Sequence, residues 1–169
     1  MTESGKPVID ITDLDQLGFV VRSVEKSTEA LWNTFGIGPW MFREFPVESM
    51  EEMIYHGKPA RFSLRAARSQ KKLNGVEFEL IEPLEGDSIY SDFLKEHGEG
   101  FHHIGWYKIA SLEAYNETAQ ALEKAGFPCI MSVRSGNIAF AYFDTAKVLG
   151  TILEVLRIIP PPEGTPPGG

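Results

Sequence analysis

A short pattern that occurs once in each half of the chain constrains the fold more than any other feature of the sequence. The stretches Gln16–Phe19, Gln-Leu-Gly-Phe, and His103–Trp106, His-Ile-Gly-Trp, both read as a polar residue, an aliphatic residue, a glycine and an aromatic residue. Each stretch is followed by a short break and then by a segment with helical spacing. The recurrence of one pattern in the same context indicates an internal duplication.

A second repeated pattern closes each half. Gly75 and Gly150 each stand four positions before a glutamate that lies inside an apolar run. A buried carboxylate must be paired or bound to a metal. If the halves pair about a pseudo-two-fold axis, four side chains meet at one point and could hold a divalent metal: Gln16, Glu79, His103 and Glu154. The alternatives are glutamates that face solvent from their strands and, for Gln16, a hydrogen bond in the core.

Hydrophobic periodicity predicts the same order of elements in both halves, a strand, a helix and three further strands. In the first half these are a strand from Gln16, a helix over 23–35 that ends at Gly36, and strands over 41–47, 60–67 and 76–81. In the second half they are a strand over 101–109, a helix over 111–125, and strands over 129–134, 138–143 and 151–159. Each half is therefore predicted to be a βαβββ module.

This order divides the chain into five segments. They are a flexible N-terminus over 1–12, the first module over 13–83, a linker helix within 84–100, the second module over 101–159, and a disordered Pro- and Gly-rich tail over 160–169. Within the modules, Ser135-Gly136-Asn137 predicts a hairpin turn. The acidic segment 48–58 is predicted to be a loop that could cover a site.

Length and charge limit the classes of partner. A chain of 169 residues fits one domain or two small modules with a shared core. A net charge of −8 without a cluster of basic residues argues against nucleic acid or an anionic membrane as a partner. The single cysteine, Cys129, suits a reducing compartment, and the sequence contains neither an apolar membrane span nor a signal-peptide pattern. We expect a cytoplasmic protein.

Several longer motifs resemble one known superfamily. They are Phe78–Leu84, Asp87–Leu94, Gly98–His103 and the strand Gly150–Glu154. On these motifs the chain, from about Leu14 to Leu156, resembles the vicinal oxygen chelate superfamily, and within it methylmalonyl-CoA epimerase and glyoxalase-type proteins. The resemblance implies an α+β fold in which two paired βαβββ modules form a cup-shaped mixed sheet around a metal site.

The resemblance also implies a ligand set. The family's first-strand ligand falls on Gln16, where the epimerases usually have histidine, and the other ligands fall on Glu79, His103 and Glu154. This set resembles that of zinc-type glyoxalase I. A second departure lies in the strand Ala60–Leu64, where the epimerases carry a catalytic glutamate and this chain has no carboxylate.

A site of this kind predicts enolisation chemistry. Oxygen and nitrogen ligands without a thiolate suit one Zn, Co, Ni, Mn or Mg ion, which would polarise the carbonyl group of a small molecule and acidify the neighbouring C–H. Glu154 is the first choice of catalytic base, as in glyoxalase-like members, and Glu79 is the second. The predicted function is a racemase, epimerase or isomerase, for example of an acyl-CoA or an aromatic ketone. The alternatives are a glyoxalase-like lyase and a non-catalytic, resistance-type binding protein.

Further residues have secondary predicted roles. Strand alternation turns His102 away from the site and makes it a supporting histidine. Tyr55, His56 and His102 are the next candidates for a base. Five aromatic residues could line a pocket or belong to the core: Trp40, Tyr55, Phe62, Trp106 and Tyr142. A homodimer is expected, because two-module members of the superfamily often dimerise.

Overall fold

The computed structural model describes residues 7–107, 109, 111–135 and 138–158. The first part of the chain contains β1 Gln16–Val20, α1 Val24–Phe35, β2 Trp40–Phe45, β3 Glu51–Tyr55, β4 Lys58–Pro59, β5 Leu64–Ser69, β6 Glu77–Pro83 and α2 Ile89–Glu96. The second part contains β7 Gly100–Trp106, α3 Leu112–Lys124, β8 Cys129–Ser135, β9 Ile138–Phe143, α4 Ala146–Leu149 and β10 Ile152–Ile158. The βαβββ order predicted for each half is confirmed, with β3 and β4 as an insertion in the first.

All described strands belong to one mixed sheet that curls into a half-barrel. Their order is β2-β5-β6-β1-β7-β10-β9-β8-β3-β4. At the centre β1 and β7 run antiparallel, and each is parallel to the last strand of its own module, β6 or β10. The two modules are thus related by a pseudo-two-fold axis between β1 and β7. The predicted α+β fold of two paired modules is confirmed.

The helices begin and end where local sequence signals predict. The Ser23 side chain accepts a hydrogen bond from the Lys26 backbone N–H at the start of α1, and Gly36 ends that helix in the left-handed conformation at φ 66°. Ser88 forms a reciprocal capping box with Ser91 at the start of α2. Ser111 caps α3 in the same manner as Ser23 caps α1.

Strand alternation separates the core into layers. On β6, Leu80 packs beneath α1 with Val24 and Ala67, whereas Ile81 belongs to the cluster inside the half-barrel. The second module repeats this division, since Leu153 and Val155 pack with residues of α3 whereas Leu156 packs inside the half-barrel. Side chains that point to the concave face of the sheet therefore meet across a shared cup.

The segment 48–58, predicted to be a loop, forms an extension of the sheet instead. It contains β3, which pairs with β8 of the second module, and the short β4, which pairs with β3. Its acidic residues suggested a solvated loop, but Glu51 and Glu52 both pair with Arg134 on β8, at 3.1 and 2.9 Å. The loop prediction was wrong because the compensating charge lies far away in the sequence.

The remaining boundaries differ in smaller ways. The third strand of the first module begins at Leu64 rather than at position 60, and α4 is an additional short helix. β8 and β9 pair as the predicted hairpin, although positions 136 and 137 of its turn lie outside the described residues. The predicted tail, 160–169, also lies outside them. Of the predicted flexible N-terminus, the described part places Ile9 and Ile11 against the core beneath α3.

Among the described residues, no helix combines the length and the apolar character that are needed to cross a membrane.

Candidate metal centre

The four residues singled out as ligands come together in the cup. Gln16, Glu79, His103 and Glu154 lie on the four central strands, β1, β6, β7 and β10, and all four are buried. Candidate ligand atoms of Glu79, His103 and Glu154 lie within 4.8 Å of one another. The pseudo-two-fold axis produces this convergence, because it places the first and last strands of the two modules side by side.

Three oxygen atoms surround the Nε2 atom of His103. The Oε1 atom of Gln16 lies 3.3 Å away, the Oε2 atom of Glu154 lies 3.5 Å away, and the Oε2 atom of Glu79 lies 3.8 Å away. Donors arranged tetrahedrally about a zinc-like ion with bonds of about 2.1 Å stand about 3.4 Å apart. The three separations from His103 Nε2, 3.3–3.8 Å, are close to this value and are compatible with donors around one ion.

The repeated glycines make room for these ligands. In the antiparallel pairing of β1 with β7, Gly18 stands opposite His103, and Gly105 stands opposite Gln16. A Cβ atom on Gly18 would approach the His103 ring to 1.9–2.4 Å, and one on Gly105 would meet Gln16 Cβ at 3.0 Å. The glycine in each copy of the motif is thus explained by the ligand that the other module presents across the axis.

Glu77 orients the side chain of Gln16. The Nε2 group of Gln16 donates a hydrogen bond of 3.0 Å to the Oε1 atom of Glu77, and its Oε1 atom consequently faces His103. A neutral amide is a weak ligand unless its oxygen is held toward the ion. Glu77 supplies that constraint, a role that was not predicted from the sequence. The sequence contained one indication of this role. Glu77 lies two residues before Glu79, and residues two apart on a strand point to the same face.

Arg68 is the second residue of the candidate centre that was not predicted from the sequence. It stands opposite Glu79 in the β5–β6 register, and its Nε atom lies 3.1 Å from Oε1 of Glu79 and 3.1 Å from Oε1 of Glu77. Burial raises the pKa of Glu79, and although Arg68 opposes that shift, the net direction remains upward. Arg68 therefore binds one oxygen of Glu79 and leaves the other, Oε2, facing His103.

Glu154 has a different environment, because a tyrosine binds each of its oxygens. Tyr142 donates to Oε1 at 2.9 Å, and Tyr107 donates to Oε2 at 3.2 Å. Burial, and then the charge of Glu154, hold the pKa of both tyrosines well above 10, so both hydroxyls remain donors. Tyr90 extends the chain with a 2.6 Å hydrogen bond to the Tyr142 hydroxyl.

The pKa of Glu154 shifts in the opposite direction from that of Glu79. Burial pushes the pKa of Glu154 upward, but hydrogen bonding and charge from His103, with help from Arg68 and Tyr142, outweigh it, and the net shift is downward. The cup thus contains two carboxylates of different character. Glu154 is the one held as an anion by the residues around it.

The charges of the cup fit a divalent ion. Glu77, Glu79 and Glu154 are acidic, and Arg68 is the cation that pairs with two of them. With His103 neutral, as an imidazole that binds a metal must be, three carboxylates and one guanidinium leave two negative charges. Burial makes these charges unfavourable unless they are compensated. One divalent cation restores neutrality, so the donor set, its spacing and its charge all fit such an ion.

His102 contacts His103 from the side of α2. The predicted strand alternation is interrupted here, because Phe101 and His103 pair with consecutive residues of β1 and leave His102 as the extra residue of a β-bulge. Its buried ring packs against Tyr90 and Phe93 of α2, and Tyr90 also lines the cavity of the cup. Its Nδ1 atom lies 2.9 Å from Nδ1 of His103, and burial, together with the charge of His103, holds the pKa of His102 well below its usual value. A neutral His102 that accepts the Nδ1 proton of His103 leaves the His103 Nε2 lone pair directed toward the centre.

A mainly apolar cavity of about 80 Å³ opens beside Glu79 and Glu154. A water needs about 10–15 Å³ on this measure, so the cavity accommodates the reacting end of a small molecule rather than a whole large ligand. From β5 it is lined by Leu64, Ala66 and Arg68. The stretch 60–64, in which the sequence lacks a carboxylate, overlaps β5 only at Leu64, and the residues of β5 that line the cavity include no carboxylate either.

The predicted pocket aromatics divide between cup and core. Tyr142 lines the cavity, whereas Phe62, Trp40 and Trp106 belong to or pack against the hydrophobic clusters. Tyr55 lies on β3, where its hydroxyl binds Asp92 of α2. Neither Tyr55 nor the exposed His56 lines the cavity.

Comparison with known proteins agrees with this architecture. A family model described as the Glyoxalase/Bleomycin resistance protein/Dioxygenase superfamily matches residues 15–142. A comparison with curated protein sequences gives no match.

Solved structures resemble the chain over most of its length. The methylmalonyl-CoA epimerase of Mycobacterium tuberculosis is 18% identical with a TM-score of 0.58, over 89% of this chain and 90% of that chain. A variant of the Streptomyces coelicolor methylmalonyl-CoA epimerase, in complex with 2-nitronate-propionyl-CoA, is 18% identical with a TM-score of 0.56, over 88% and 99%. A hypothetical protein from Bacillus halodurans is 20% identical with a TM-score of 0.54, over 89% and 97%. At these identities the similarity establishes the fold.

Proposed function

Since the chain belongs to the Glyoxalase/Bleomycin resistance protein/Dioxygenase superfamily, we propose that it is a metal-dependent racemase or epimerase. The reaction is abstraction of the proton α to a carbonyl group of a small molecule such as an acyl-CoA or an aromatic ketone. The observation that carries this proposal is the pair of buried carboxylates, Glu79 and Glu154, which flank His103 from opposite modules beside one cavity.

In this proposal Gln16, Glu79, His103 and Glu154 would hold one divalent ion. The ion would act as a Lewis acid that polarises the substrate carbonyl. Arg68, Glu77 and His102 orient three of these four side chains before an ion or a substrate binds, through the contacts described above. Such preorganisation of the supporting residues is what gives a metal centre its affinity.

Glu154 is proposed as the residue that removes the α-proton, with Glu79 on the other side of the pseudo-two-fold axis. An enolate is planar at the α-carbon, so a carboxylate on each face allows one to remove the proton and the other to deliver one. Tyr107 and Tyr142 keep the Glu154 carboxylate in a fixed orientation toward the cavity. Delivery to the opposite face inverts the configuration of the α-carbon.

A glyoxalase-like lyase is the second candidate, and one observation favours it. The cup presents a Gln, Glu, His, Glu donor set, which resembles that of zinc-type glyoxalase I, and the cup-facing residues of β5 include no carboxylate. The lyase alternative also needs proton abstraction next to a carbonyl group. The two candidate functions therefore share the proton abstraction and differ in the later fate of the enolate.

A homodimer is part of the proposal. β2 forms one edge of the sheet, and Met41 and Phe42 on it are 51% and 50% exposed. Trp32 and Phe35 on the nearby α1 are 53% and 71% exposed. An edge strand with adjacent exposed aromatic side chains is suited to pairing with a second copy. Sedimentation at micromolar concentration tests this, and a mass near 18.9 kDa would reject the dimer.

The experiment that tests the activity is proton exchange in deuterated water. A panel of α-chiral thioesters, aromatic ketones and hemithioacetals is incubated with the protein, with and without added Zn, Co, Ni, Mn or Mg, and the α-proton is followed by NMR. Metal-dependent exchange of that proton with loss of optical activity supports the racemase or epimerase. Exchange with formation of a new product supports the lyase, and a panel without any exchange would favour the binding protein.

A further inference from the structure

We propose that Arg43, at the mouth of the cup, binds an anionic group of the substrate, a carboxylate or a phosphate, at a distance from the reacting carbonyl. This inference deepens the proposed function, on which it rests for the identity of the reacting end. It names the substrate class as a small carbonyl compound with an anionic handle.

Strand alternation on β2 places Arg43 with the residues that line the cup, and its exposed side chain at the edge of the sheet also borders an outer groove with Phe42 and Glu44. Met41, Arg43 and Phe45 line the cavity, whereas Trp40 and Phe42 line a groove on the other face of the strand. The guanidinium carbon of Arg43 lies 4.5 Å above the centre of the Phe45 ring. A cation–π contact of this kind limits the rotamers of the side chain and holds its charge beside the cavity.

Arg43 differs from the other arginines of this region in having no acidic partner among the described residues. Arg65, the neighbour of Arg43 on the outer face of the sheet, pairs with both Glu25 and Glu44, and Arg68 pairs with Glu77 and Glu79. Once a divalent ion balances the carboxylates of the cup, Arg43 is the cavity-lining cation whose charge is not neutralised by the protein. In a chain of net charge −8, such a cation at a cavity mouth is selective for an anionic ligand.

The register gives the approximate length of the handle. Glu79 pairs with Arg68 on β5, and Arg43 pairs with Ala66 on the same strand. Glu79 and Arg43 are thus two strand spacings apart across the sheet and two residues apart along it. Their backbones are separated by roughly 12 Å. The arginine side chain spans part of this distance. The anionic group must therefore lie several bonds from the reacting carbonyl, rather than on the carbon next to it.

The test uses pairs of thioesters that differ only in charge. The N-acetylcysteamine thioester of α-methyladipate carries a free carboxylate at the far end of its acyl chain, and its methyl ester is the neutral match. The α-methylbutanoyl thioester of phosphopantetheine places a phosphate on the thiol side instead, and the same thioester of pantetheine is its neutral match. Dissociation constants are measured by calorimetry, and α-proton exchange is measured in deuterated water, for the wild-type protein, Arg43→Met and Arg65→Met. Arg65→Met is the matched control, because it removes the same charge from the outer face.

We expect Arg43→Met to weaken binding of at least one anionic probe by about tenfold while the neutral methyl ester is unaffected. The loss should appear in KM rather than in kcat, and Arg65→Met should alter neither. Loss with the adipate probe alone identifies a carboxylate on the acyl side, and loss with phosphopantetheine alone identifies a phosphate on the thiol side.

Equal effects of Arg43→Met on charged and neutral probes, or no effect on any of them, would overturn the inference. The binding measurement separates this failure from a failure of the proposed activity. If no probe exchanges its α-proton but anionic probes bind in an Arg43-dependent manner, the anion site stands and the enzymatic proposal falls.

Discussion

The two halves of the candidate metal centre occupy equivalent positions in their modules but contain different side chains. Glu79 and Glu154 are equivalent, and so are the residues opposite them on the next strand, Arg68 in the first module and Tyr142 in the second. Likewise, Glu77 stands beside Gln16 where Ile152 stands beside His103. The first half contains an Arg–Glu pair, and the second half replaces it with tyrosine hydroxyls and an aliphatic side chain.

This difference shows how a duplicated fold can give two carboxylates separate tasks. In the first module burial raises the pKa of Glu79 despite Arg68. In the second module burial also acts upward, but His103, with help from Arg68 and Tyr142, holds the pKa of Glu154 down. Symmetric backbones place the carboxylates on opposite sides of one cavity. The residues opposite them on the next strand then make them unequal.

The largest expected effect is on metal binding. His103 and Gln16 occupy equivalent positions in the two modules, and the prediction compares the loss of each. Removing one strong ligand leaves an open, weakened site, so His103→Ala and Glu79→Ala should each lose the ion from purified protein. Gln16→Ala should weaken binding by about 10–100-fold, as expected for loss of a neutral oxygen donor. Metal content per chain by mass spectrometry is the measurement. Full occupancy in the double variant His103→Ala with Glu79→Ala would refute the centre.

Turnover should distinguish the two carboxylates. Glu154→Gln keeps an oxygen donor and the shape of the side chain but removes the base, so the rate of α-proton exchange should fall by about 10²–10⁴-fold with metal retained. Glu79→Gln should cause a smaller loss if Glu79 only binds the ion. Similar losses in both variants would indicate that both carboxylates transfer protons, as two-face racemisation requires. An unchanged exchange rate in Glu154→Gln would place the base elsewhere.

The repeated glycines should respond unequally to alanine. Gly18→Ala brings a methyl group within 1.9–2.4 Å of the His103 ring and should displace that ligand, whereas Gly105→Ala creates closest contacts of 2.9–3.0 Å with Tyr107 and Gln16. We expect Gly18→Ala to lose metal affinity by about 10–100-fold and Gly105→Ala to lose less, measured by calorimetric titration. Gly100→Ala is the control, because its methyl group would meet nothing within 4 Å. Equal losses in all three variants would contradict the role assigned to Gly18.

The smallest expected effect is on the stability of metal-free protein, and its sign differs between the halves. The pKa of Glu154 is lowered in the folded state, so its charged form stabilises the fold above the ordinary carboxylate pKa of 4.5, and this stability is lost as the pH falls through the folded pKa. The pKa of Glu79 is raised, so its contribution is fully present below 4.5 and is lost as the pH rises through the folded pKa.

At neutral pH in the presence of a chelator, Glu79→Gln should therefore raise the thermal midpoint by a few degrees, and Glu154→Gln should lower it by a few degrees. Scanning calorimetry from about pH 3 to about pH 8 measures both shifts, because the pKa of Glu154 is lowered and that of Glu79 is raised from the ordinary carboxylate value. The difference between the two variants should shrink toward the acid end. Shifts of the same sign at neutral pH would show that the two environments are not opposed.

Much of the candidate centre was predictable, because an internal duplication indicates which strands, distant in the sequence, lie side by side in the fold. The Gln16–Phe19 and His103–Trp106 motifs, with the glutamates that close each half, are local patterns. Pairing about a pseudo-two-fold axis brings equivalent strands together, and so the convergence of Gln16, Glu79, His103 and Glu154 followed from the repeat alone. The helix ends at Gly36 and Ser88 were predictable for a similar reason, since capping depends on residues within one turn.

The errors and omissions lie where the partner is remote and the repeat gives no help. The segment 48–58 was predicted to be a loop, because nothing local shows that Arg134 compensates Glu51 and Glu52 across a strand of the other module. Arg68, Glu77 and Tyr107 were missed because none of them recurs at the equivalent position of the other half. Repeated motifs identify only residues that recur in both halves, so residues that differ between the halves are not predicted from them.

The sequence by itself therefore determined the two-module architecture and the four convergent side chains, because periodicity, capping and duplication are properties of the chain. Only the tertiary structure decided which carboxylate is paired with a guanidinium and which with tyrosine hydroxyls, that Gln16 presents its oxygen to the centre, and that Arg43 lines the cup without an acidic partner among the described residues. These features depend on strand register and on the curl of the sheet, which bring together residues distant in the chain and set the burial that shifts their pKa values.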